Sequence, residues 1–450
     1  MATTYLTRVF GTPTNGKKFT FSAWMKKGTL SGDQAFFSTG NSSDPITTFR
    51  WNSDGKIYLF YLSSSSMVWE FATNSLYRDC NGWYNVVIAF DSTESSAGDR
   101  LKLWVNGEQI TTWSTQVNPA LDMTPTMNTA VRHDLGTNGP GGNYFTGLMS
   151  HVHFVDGTAY PASTFGSTDA TTGNWKINTN PTVTYGDNGF FLLKNDASLT
   201  DQSGEGNNFT LGGGTLTKTE DNPSNVFATL NPTDVMKQSG GIYVPTFSNG
   251  NLTIAAAADY NYQTFGTISP ETGKWYWEMK IDVANTTGHR LGVFFGNDKT
   301  HSGSYYYGAN AFYIHQNGQI YYNGSNTVYM SSYTAGDIIS VALDVTNGNI
   351  YMSKNGGASD STWADGSGNN NQAFPGTSIN GKLGASWISG PATPFFDVYG
   401  TGNKESVNFG NGYFGTSAVS SAGTNASNIG IFEYDVPTGY TALSTKGLNL

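Results

Sequence analysis

The stretch GDIISVALDVTNGNIYMSKNGG, residues 336–357, decides the fold of the C-terminal part of the chain. Residues 338–345 form an apolar run rich in β-branched side chains, which is typical of a strand. The tetrapeptide Thr-Asn-Gly-Asn at 346–349 tolerates positive φ angles, so we expect the chain to turn back there. Residues 350–352 resume the apolar pattern, and an Asn-Gly pair at 355–356 marks a second tight turn. The stretch predicts a β-hairpin, which is stable only inside a larger sheet.

This hairpin and three neighbouring motifs together resemble the SPRY domain family. GKWYWEMKI (273–281) is similar to the opening strand of the family, HRLGVFFGN (289–297) to its L-G-V strand, and SVNFGNGYF (406–414) to its closing N-F-G motif. Four motifs in the order of the family are far more specific than any one of them. The resemblance implies a SPRY-like β-sandwich over residues 241–450, with variable loops at one edge forming the binding surface.

The composition of the chain also favours an all-β protein. Of its 450 residues only 12% are charged, and it contains 55 Gly, 25 Tyr, 27 Phe and 11 Trp. Many turn formers and many aromatic residues, with few helix formers, are typical of β-sheet proteins. The length is sufficient for more than one buried core.

The charge and the cysteine count restrict the possible partners and the compartment. The formal net charge is −10 and no Lys/Arg cluster occurs; because binding to a phosphate backbone needs a positive face, we predict no nucleic acid partner. No apolar run reaches the ~20 residues of a membrane span, so we predict no membrane insertion. Cys80 is the only cysteine and no signal-peptide pattern follows Met1. We therefore expect synthesis in a reducing cytoplasm.

A second set of strand patterns occupies residues 1–165. FTFSAWM (19–25) alternates large apolar residues with small or polar ones, while WYNVVIAFD (83–91) and LKLWVNG (101–107) indicate two strands, the second ending at a turn. With FTGLMSHVHFVD (145–156), these motifs resemble laminin-G-like and pentraxin-like lectin sandwiches of the concanavalin A type. The resemblance implies a second antiparallel sandwich.

We therefore predict an all-β chain of two jelly-roll antiparallel β-sandwiches, one concanavalin A-like and one SPRY-like, joined by a polar connector. The predicted limits are 1–165 for the lectin sandwich, 166–240 for the connector with a few strands, and 241–450 for the SPRY-like sandwich. The connector is only intermittently apolar, so we expect it to be ordered against one sandwich or against a neighbouring chain. Residues 416–428 are small and polar, which predicts a flexible loop.

No catalytic constellation is found in the sequence, and we predict that the chain is not an enzyme. Glucanases that share the lectin sandwich carry E-x-D-x-x-E on one strand, whereas the nearest approach here, Glu278 to Asp282, has the wrong spacing and lacks the third carboxylate. His151 and His153, near Asp156, could contribute to a zinc site. The interpretation we favour is a pair of strand histidines packed at a sheet face or interface.

A calcium site is the second metal hypothesis. Asp91, Glu94 and Asp99 edge a turn between two strands, and lectin-like sandwiches often bind calcium at such a rim. The spacing of these carboxylates matches no known ligand pattern, so a solvated loop is the preferred interpretation. We predict no metal site and no cofactor.

Aromatic residues in the C-terminal part mark the predicted ligand-binding surface. Tyrosine presents a flat apolar body with a hydroxyl, which suits both sugar stacking and protein interfaces. The rings of Tyr305, Tyr306 and Tyr307 are consecutive, so they cannot all face inward. Strand alternation must bury some of the aromatic residues that follow them in the sequence. The predicted ligand-binding residues are Tyr305, Tyr306, Tyr307, Tyr313, His315 and Tyr322.

The whole arrangement resembles a family of marine tailed-phage virion proteins. The segments YLTR (5–8) and IFEYDVPTGYTALSTKGLN (431–449) carry this resemblance. It implies a virion surface protein, either a tail fibre or a head-decoration protein, that is assembled in the host cytoplasm alongside other virion proteins. Its sandwiches would attach to a host-surface glycan or receptor.

A further expectation concerns the oligomeric state. Because attachment to repetitive glycans gains avidity from several linked sites, we expect a homo-oligomer and predict a trimer. The alternatives are a glycan-cleaving virion enzyme (a depolymerase), a purely structural virion component, and a non-viral SPRY interaction module.

Overall fold

The chain forms two compact units. The computed structural model describes residues 3–40, 44–139, 142–194, 197–235, 237–238, 241–286, 288–296, 311–322, 325–383 and 390–449. Contacts divide the chain into unit 1, Met1–Lys218, and unit 2, Thr219–Leu450. The division falls inside the 166–240 segment that the sequence assigns to a connector.

Unit 1 consists of strands with two short 3-10 turns at Ala97–Asp99 and Ala162–Thr164. Its strands in the described residues are β1 (Tyr5–Val9), β2 (Lys18–Lys27), β3 (Gln34–Thr39), β4 (Ile46–Trp51), β5 (Ile57–Ser63), β6 (Ser66–Thr73), β7 (Tyr84–Asp91), β8 (Leu101–Val105), β9 (Glu108–Gln109), β10 (Trp113–Val117), β11 (Arg132–Leu135), β12 (Gly147–Asp156), β13 (Gly166–Thr168), β14 (Trp175–Ile177), β15 (Phe190–Leu192) and β16 (Thr210–Gly213).

Two antiparallel sheets face each other in unit 1. The eight-stranded sheet has the order β10-β6-β5-β4-β3-β11-β1-β16, and the six-stranded sheet has the order β15-β12-β2-β7-β8-β9. Strands β15 and β16 come from the predicted connector and extend these two sheets by pairing with β12 and β1. Part of the polar segment after residue 165 is therefore an integral part of the first sandwich.

Aromatic side chains fill the space between the two sheets of unit 1. Because side chains alternate along a strand, Phe19 and Phe21 of β2 point inward and meet Phe37 and Phe49 from the other sheet. The rings of Phe21 and Phe37 stack with their centroids 5.0 Å apart. The period-two pattern at residues 19–25 thus produces the core contact that it predicts.

Unit 2 contains one short helix, α1 (Ile379–Leu383), and a 3-10 turn at Gly447–Asn449 in its described residues. Its strands are β17 (Leu230–Val235), β18 (Lys237–Gln238), β19 (Gly241–Ile242), β20 (Thr246–Ser248), β21 (Thr253–Ala255), β22 (Asn261–Gly266), β23 (Lys274–Val283), β24 (His289–Phe295), β25 (Ala311–His315), β26 (Gln319–Tyr322), β27 (Ser325–Val328), β28 (Ile338–Asp344), β29 (Asn349–Lys354), β30 (Trp363–Ala364), β31 (Asn370–Gln372), β32 (Ala392–Tyr399), β33 (Lys404–Asn408), β34 (Tyr413–Phe414), β35 (Ser417–Ala418) and β36 (Thr441–Ala442).

Two large sheets also form unit 2. One has the order β17-β22-β32-β24-β25-β26-β27; the other has the order β20-β21-β33-β23-β28-β29-β30-β31, with β36 added in parallel to β23. The predicted hairpin is β28–β29 in the second sheet, with Asp344 opposite Asn349 at the turn. The predicted all-β fold of two antiparallel β-sandwiches is confirmed.

Irregular segments cover the outer face of one sheet in each unit. In unit 1, residues 157–189 lie over the six-stranded sheet, where Trp175 donates its indole N–H to Asn85 at 3.0 Å. In unit 2, residues 411–440 lie over the sheet that contains β23, and Phe432 contacts the Tyr276 ring edge-on at 4.9 Å. None of the helices in the described residues is long and apolar enough to cross a membrane.

Candidate functional site

The outer face of the eight-stranded sheet in unit 1 carries a continuous row of side chains that points away from the core. The strand register places the members of the row directly opposite one another. Their sequence neighbours Phe49, Leu59 and Phe71 belong to the core, so alternation turns the row outward. From β10 to β1 the row consists of Val117, Glu70, Phe60, Thr48, Ser38, Asp134 and Thr7.

A guanidinium and two aromatic rings form a cluster at this face, on β4 and β5. The guanidinium carbon of Arg50 lies 5.1 Å from the ring centre of Tyr58 and 5.4 Å from that of Phe60. The two rings are tilted by 34°, with centroids 5.2 Å apart. These distances are those of cation–π contacts. Arg50 and Tyr58 are half-buried, whereas Phe60 is 6% exposed.

Carboxylates and an amide hold this cluster in place. Arg50 Nη1 lies 3.1 Å from Asp33 Oδ2, and Arg50 Nε donates to Asn52 Oδ1 at 2.8 Å. On the other side, the Tyr58 hydroxyl donates to the half-buried Glu70. Burial and this hydrogen bond raise the pKa of Tyr58 above its ordinary value of 10.0, so the hydroxyl stays protonated. We refer to Asp33, Arg50, Tyr58, Phe60 and Glu70 as the Arg50 site.

The Arg50 site combines the groups that recognise a sugar ring. A partly exposed aromatic ring offers an apolar surface to the C–H face of a pyranose, while fixed polar groups set its orientation. The carboxylate of Glu70 accepts hydrogen bonds from hydroxyl groups, and Arg50 donates them. Because each polar group is already held by a neighbour, the site is organised before a ligand arrives.

The carboxylates on the outward row are too far apart for glycoside hydrolysis. Glu70 lies on β6 and Asp134 on β11, with three strands between them. At about 4.8 Å between neighbouring strands, the two side chains are roughly 19 Å apart. Retaining glycosidases need about 5–5.5 Å and inverting ones about 6.5–9.5 Å. This pair therefore does not have the geometry of a glycosidase.

Glu278, the nearest approach to a glucanase motif in the sequence, lies in a buried structural position in unit 2. Its carboxylate accepts hydrogen bonds from the backbone N–H groups of Glu433 and Tyr434, both at 2.9 Å. The Asn408 amide and the Tyr276 hydroxyl donate to it at 3.2 Å and 3.1 Å. Glu278 thereby anchors the covering segment to β23.

The two histidines of β12 pack against aromatic rings. His153 is 2% exposed, stacks on Phe191 at 4.0 Å, and places Nδ1 2.8 Å from the Tyr185 hydroxyl. His151 has a φ of +48°, lies at an irregularity in the β12–β2 register, and is 5.6 Å from the Phe191 ring. This packing at a sheet face is the arrangement favoured from the sequence.

Asp156 serves the connection between strands. Its carboxylate accepts hydrogen bonds from the backbone N–H groups of Thr14 and Asn15 at 2.7 Å and 3.2 Å, and from the Asn128 amide at 2.6 Å. It therefore ties three segments of unit 1 together. Within the described residues, no group of three or more His, Cys, Asp or Glu side chains could hold a metal ion.

The three acidic residues considered for calcium each have local partners. Asp91 pairs with Lys18 Nζ at 2.8 Å, and Asp99 pairs with Lys102 Nζ at 3.1 Å. At Glu94 the contact is to the backbone, whose carbonyl accepts a guanidinium N–H at 2.8 Å. Lysine side chains of the protein itself thus compensate the charges of Asp91 and Asp99.

The candidate residues of unit 2 fall on both faces of the seven-stranded sheet. Tyr313 lies on the outer face, is 5% exposed, and stacks on Tyr321 with centroids 5.2 Å apart. His315 is half-buried on the same face, 5.8 Å from the Tyr321 ring. Tyr322 points to the opposite face and packs against the core. Tyr305, Tyr306 and Tyr307 lie outside the described residues.

An ion pair borders these aromatic residues in unit 2. Arg290 Nη1 lies 2.7 Å from Asp397 Oδ2 and also donates to Asn261 at 2.7 Å. Burial and the charge of Arg290 lower the pKa of His315 to about 4, so this imidazole is neutral at pH 7. The outer face of this sheet thus also combines rings with an arginine and a carboxylate.

No motif in the sequence marks Arg50, Tyr58, Phe60 or Glu70 as binding residues. The alternation in residues 46–51 and 57–62 contained the signal, because polar or aromatic residues occupy the positions between core residues. Neither an arginine nor a tyrosine at an outward position of a strand indicates a binding site by itself. Only the register, which places Arg50 opposite Tyr58, brings them together.

Family models identify the two sandwiches. Residues 3–163 match the model of the concanavalin A-like lectin/glucanases superfamily, in its laminin G form, and residues 274–388 match the SPRY domain model. Unit 1 thus carries a laminin G/concanavalin A-like domain and unit 2 carries a SPRY domain. Both predicted resemblances are confirmed at the level of the domains.

Several solved structures are similar to parts or all of the chain. The SPRY domain of human HERC1 is 17% identical, with 40% of this chain and 96% of that chain covered and a TM-score of 0.30. Domains LG4-5 of the mouse laminin alpha1 chain are 9% identical, with 96% and 92% covered and a TM-score of 0.29. A SAP-like pentraxin from Limulus polyphemus is 16% identical, with 43% and 89% covered and a TM-score of 0.29. No curated protein sequence matches the chain.

Proposed function

We propose that this chain is a binding protein whose unit 1 attaches to a glycan through the Arg50 site. The observation that supports this most is the stacking of Arg50 on Tyr58 and Phe60, on an outward sheet face, between the carboxylates of Asp33 and Glu70. A core of aromatic and arginine side chains is typical of surfaces that bind strongly. A family that includes lectins is consistent with a glycan as ligand.

The finer part of the proposal is that the protein lies on the surface of a tailed-phage virion, as a tail fibre or a head-decoration protein. The resemblance at residues 5–8 and 431–449 supports it. Assembly in the host cytoplasm, contact with other virion proteins and a trimeric state belong to the same proposal. A solution mass of one chain, about 48 kDa, would count against a stable trimer.

Unit 2 is proposed to bind a second partner, a receptor or another virion protein. The stacked pair of Tyr313 and Tyr321, beside His315, offers aromatic surface with polar edges, which is typical of protein interfaces. We further propose that the chain is not an enzyme. In support, Glu70 and Asp134 on the outward row of unit 1 are too far apart for hydrolysis.

Replacing Tyr58 by Ala tests the glycan proposal. The variant should bind bacterial surface polysaccharides on an array about 30-fold more weakly, since a central aromatic anchor contributes about 2 kcal/mol. Tyr260→Ala is the matched control, because Tyr260 is 47% exposed and lies in unit 2. Its binding should equal that of the unmodified protein.

Two results would contradict the proposal. Unchanged binding by a folded Tyr58→Ala protein would remove the Arg50 site from glycan recognition. Shortening of the bound polysaccharide during incubation, detected by size-exclusion chromatography, would instead indicate a depolymerase.

A further inference from the structure

A second cluster of similar composition lies at the other end of the same sheet face. The guanidinium carbon of Arg132, on β11, is 5.8 Å from the ring centre of Tyr5 on β1. Tyr5 faces Tyr144 with ring centroids 6.0 Å apart and a tilt of 41°. Arg132 Nε lies 2.9 Å from Asp134 Oδ1. One guanidinium, two tilted rings and a carboxylate thus recur together.

Four groups of the Arg50 site have counterparts in the second cluster, whereas Glu70 has none. In the Arg50 site, the guanidinium lies over Tyr58, a second ring is 5.2 Å from it, and a carboxylate is 3.1 Å from the guanidinium. In the second cluster these roles fall to Arg132, Tyr5, Tyr144 and Asp134. Both clusters face outward, because Glu70 and Asp134 belong to the same outward row of side chains.

A ridge separates the two clusters. Ser38 Oγ donates to the Thr137 carbonyl at 2.8 Å, and Thr48 Oγ1 donates to Asn138 Oδ1 at 3.0 Å. Both hydroxyls belong to the middle of the row, so the turn at 137–138 lies over the centre of the sheet. Tyr58 on β5 and Tyr5 on β1 are four strand spacings apart, roughly 19 Å.

The ring of Tyr5 in the second cluster packs against the backbone of β16. A β-carbon on Gly212 would lie 2.0 Å from Tyr5 Cε2, and one on Gly213 would lie 2.9 Å from Tyr5 Cε1. The ring therefore rests on two consecutive glycines of β16. Tyr5, Tyr144 and Arg132 are each half-buried, so part of each of these three side chains stays accessible to a ligand. Asp134 is fully buried and acts through its ion pair with Arg132.

We propose that Tyr5, Arg132, Asp134 and Tyr144 form a second binding site for the same glycan, so that unit 1 is bivalent for a linear, repeating polysaccharide. This inference rests on the proposed function of the Arg50 site. Each guanidinium is already paired with a carboxylate, so the ligand class is an uncharged polysaccharide. Two sites about 19 Å apart bind a polymer with an avidity that neither site gives a single repeat.

Calorimetry with full-length protein tests the inference. The probes are an uncharged polysaccharide selected on the array and an oligosaccharide prepared from it that is too short to span both sites. The unmodified protein should bind two oligosaccharides per chain, while Tyr5→Ala and Tyr58→Ala should each bind one. Either substitution should weaken binding of the intact polymer at least about tenfold, because the effective concentration of the second site is lost.

The outcomes separate the inference from the proposed function. One oligosaccharide per chain, lost in Tyr58→Ala and unaffected by Tyr5→Ala, would overturn the second site and leave the Arg50 site standing. Normal binding in Tyr58→Ala would overturn the proposed function itself. Should Tyr5→Ala fail to fold, Tyr144→Ala removes the second ring without touching β1. Equal binding of acidic polysaccharides would contradict the assigned ligand class.

Discussion

Glu278 and Glu405 are both fully buried in unit 2. They differ in whether their hydrogen-bond contacts require a proton at the carboxyl group. Glu278 accepts four hydrogen bonds, all from N–H or O–H donors, which favours the ionised carboxylate. Glu405 faces His289, with Oε2 2.9 Å from Nδ1, while Nε2 of the same ring lies 2.9 Å from the Val283 carbonyl. Because a carbonyl only accepts, Nε2 carries a hydrogen. The contact between Nδ1 and Glu405 therefore needs a second, shared proton.

Substitution by glutamine should distinguish the two residues. In Glu278→Gln the new amide group faces N–H donors, so we expect a loss of about 1–3 kcal/mol in the free energy of unfolding. In Glu405→Gln the amide can donate to Nδ1 of a neutral His289, so we expect a loss below about 1 kcal/mol. Urea denaturation at pH 7 measures both values.

The two variants are controls for each other, since both positions are fully buried in one unit. Equal losses in the free energy of unfolding would show that burial, rather than the position of the proton, determines the size of the loss. A more damaging Glu405→Gln would mean that His289 is held as an imidazolium by a carboxylate.

Buried aromatic side chains help to anchor the segments that cover the two sheets. Phe432, in the segment 411–440, is 1% exposed and packs on Tyr276, whereas its neighbour Ile431 is 38% exposed. Replacing Phe432 by Ala should lower the free energy of unfolding by about 3–5 kcal/mol, because it leaves a cavity. Ile431→Ala should change it by no more than about 0.5 kcal/mol.

Thermal unfolding of the two variants makes this comparison directly. If Phe432→Ala unfolds like Ile431→Ala, the segment contributes little to the stability of unit 2. Protease sensitivity of residues 411–440 would then be high in the unmodified protein as well.

The strands could be predicted from the sequence, but the irregular segments that cover the sheets could not. Period-two alternation is sufficient for the β28–β29 hairpin and for β2, since it specifies which side chains enter the core. Residues 416–428 were expected to form a flexible loop. In the structure, backbone hydrogen bonds from the Gly423 N–H to the Phe432 carbonyl and from the Val436 N–H to the Thr424 carbonyl join this stretch to residues 432–436 of the same covering segment. Irregular segments have no period, so the few rings that anchor them resemble loop residues.

The candidate site was less predictable than the fold for a related reason. The predicted aromatic residues between Tyr305 and Tyr322 are close in sequence and therefore form a recognisable local pattern. Arg50 and Tyr58, by contrast, are paired only by the register of β4 and β5. Asp33 directly precedes β3, and Glu70 lies on β6. A site assembled across strands leaves no local motif.

The stabilities of the two units should respond to pH in opposite directions. In unit 1, burial lowers the pKa of His133 to about 3 and that of His151 to about 4. His133 is stacked on Phe10 at 3.5 Å, and its Nδ1 contacts the Val131 carbonyl at 2.9 Å. These imidazoles are neutral when folded but bind protons when unfolded below pH 6.5. The stability that they contribute is lost as the pH falls.

The buried carboxyls act the other way in unit 2. Burial raises the pKa of both Glu278 and Glu405 to about 7 from an ordinary 4.5. At Glu278 the four hydrogen-bond donors oppose this rise, but burial outweighs them. A raised pKa means that the folded state binds the proton more tightly. The corresponding stability is present below pH 4.5 and is lost as the pH rises through 7. His315 opposes this effect, but it is half-buried and therefore partly screened.

Lowering the pH from about 7.5 to about 5 should destabilise unit 1 and stabilise unit 2. His133 alone should cost unit 1 about 2 kcal/mol at pH 5, since each pH unit below 6.5 costs about 1.4 kcal/mol. Hydrogen exchange of the full-length protein, corrected for intrinsic rates and resolved by mass spectrometry into peptides of each unit, measures both responses. His133→Gln should reduce the response of unit 1, and Glu405→Gln should reduce that of unit 2. A change of the same sign in both units would mean that groups other than these buried ones control the pH dependence.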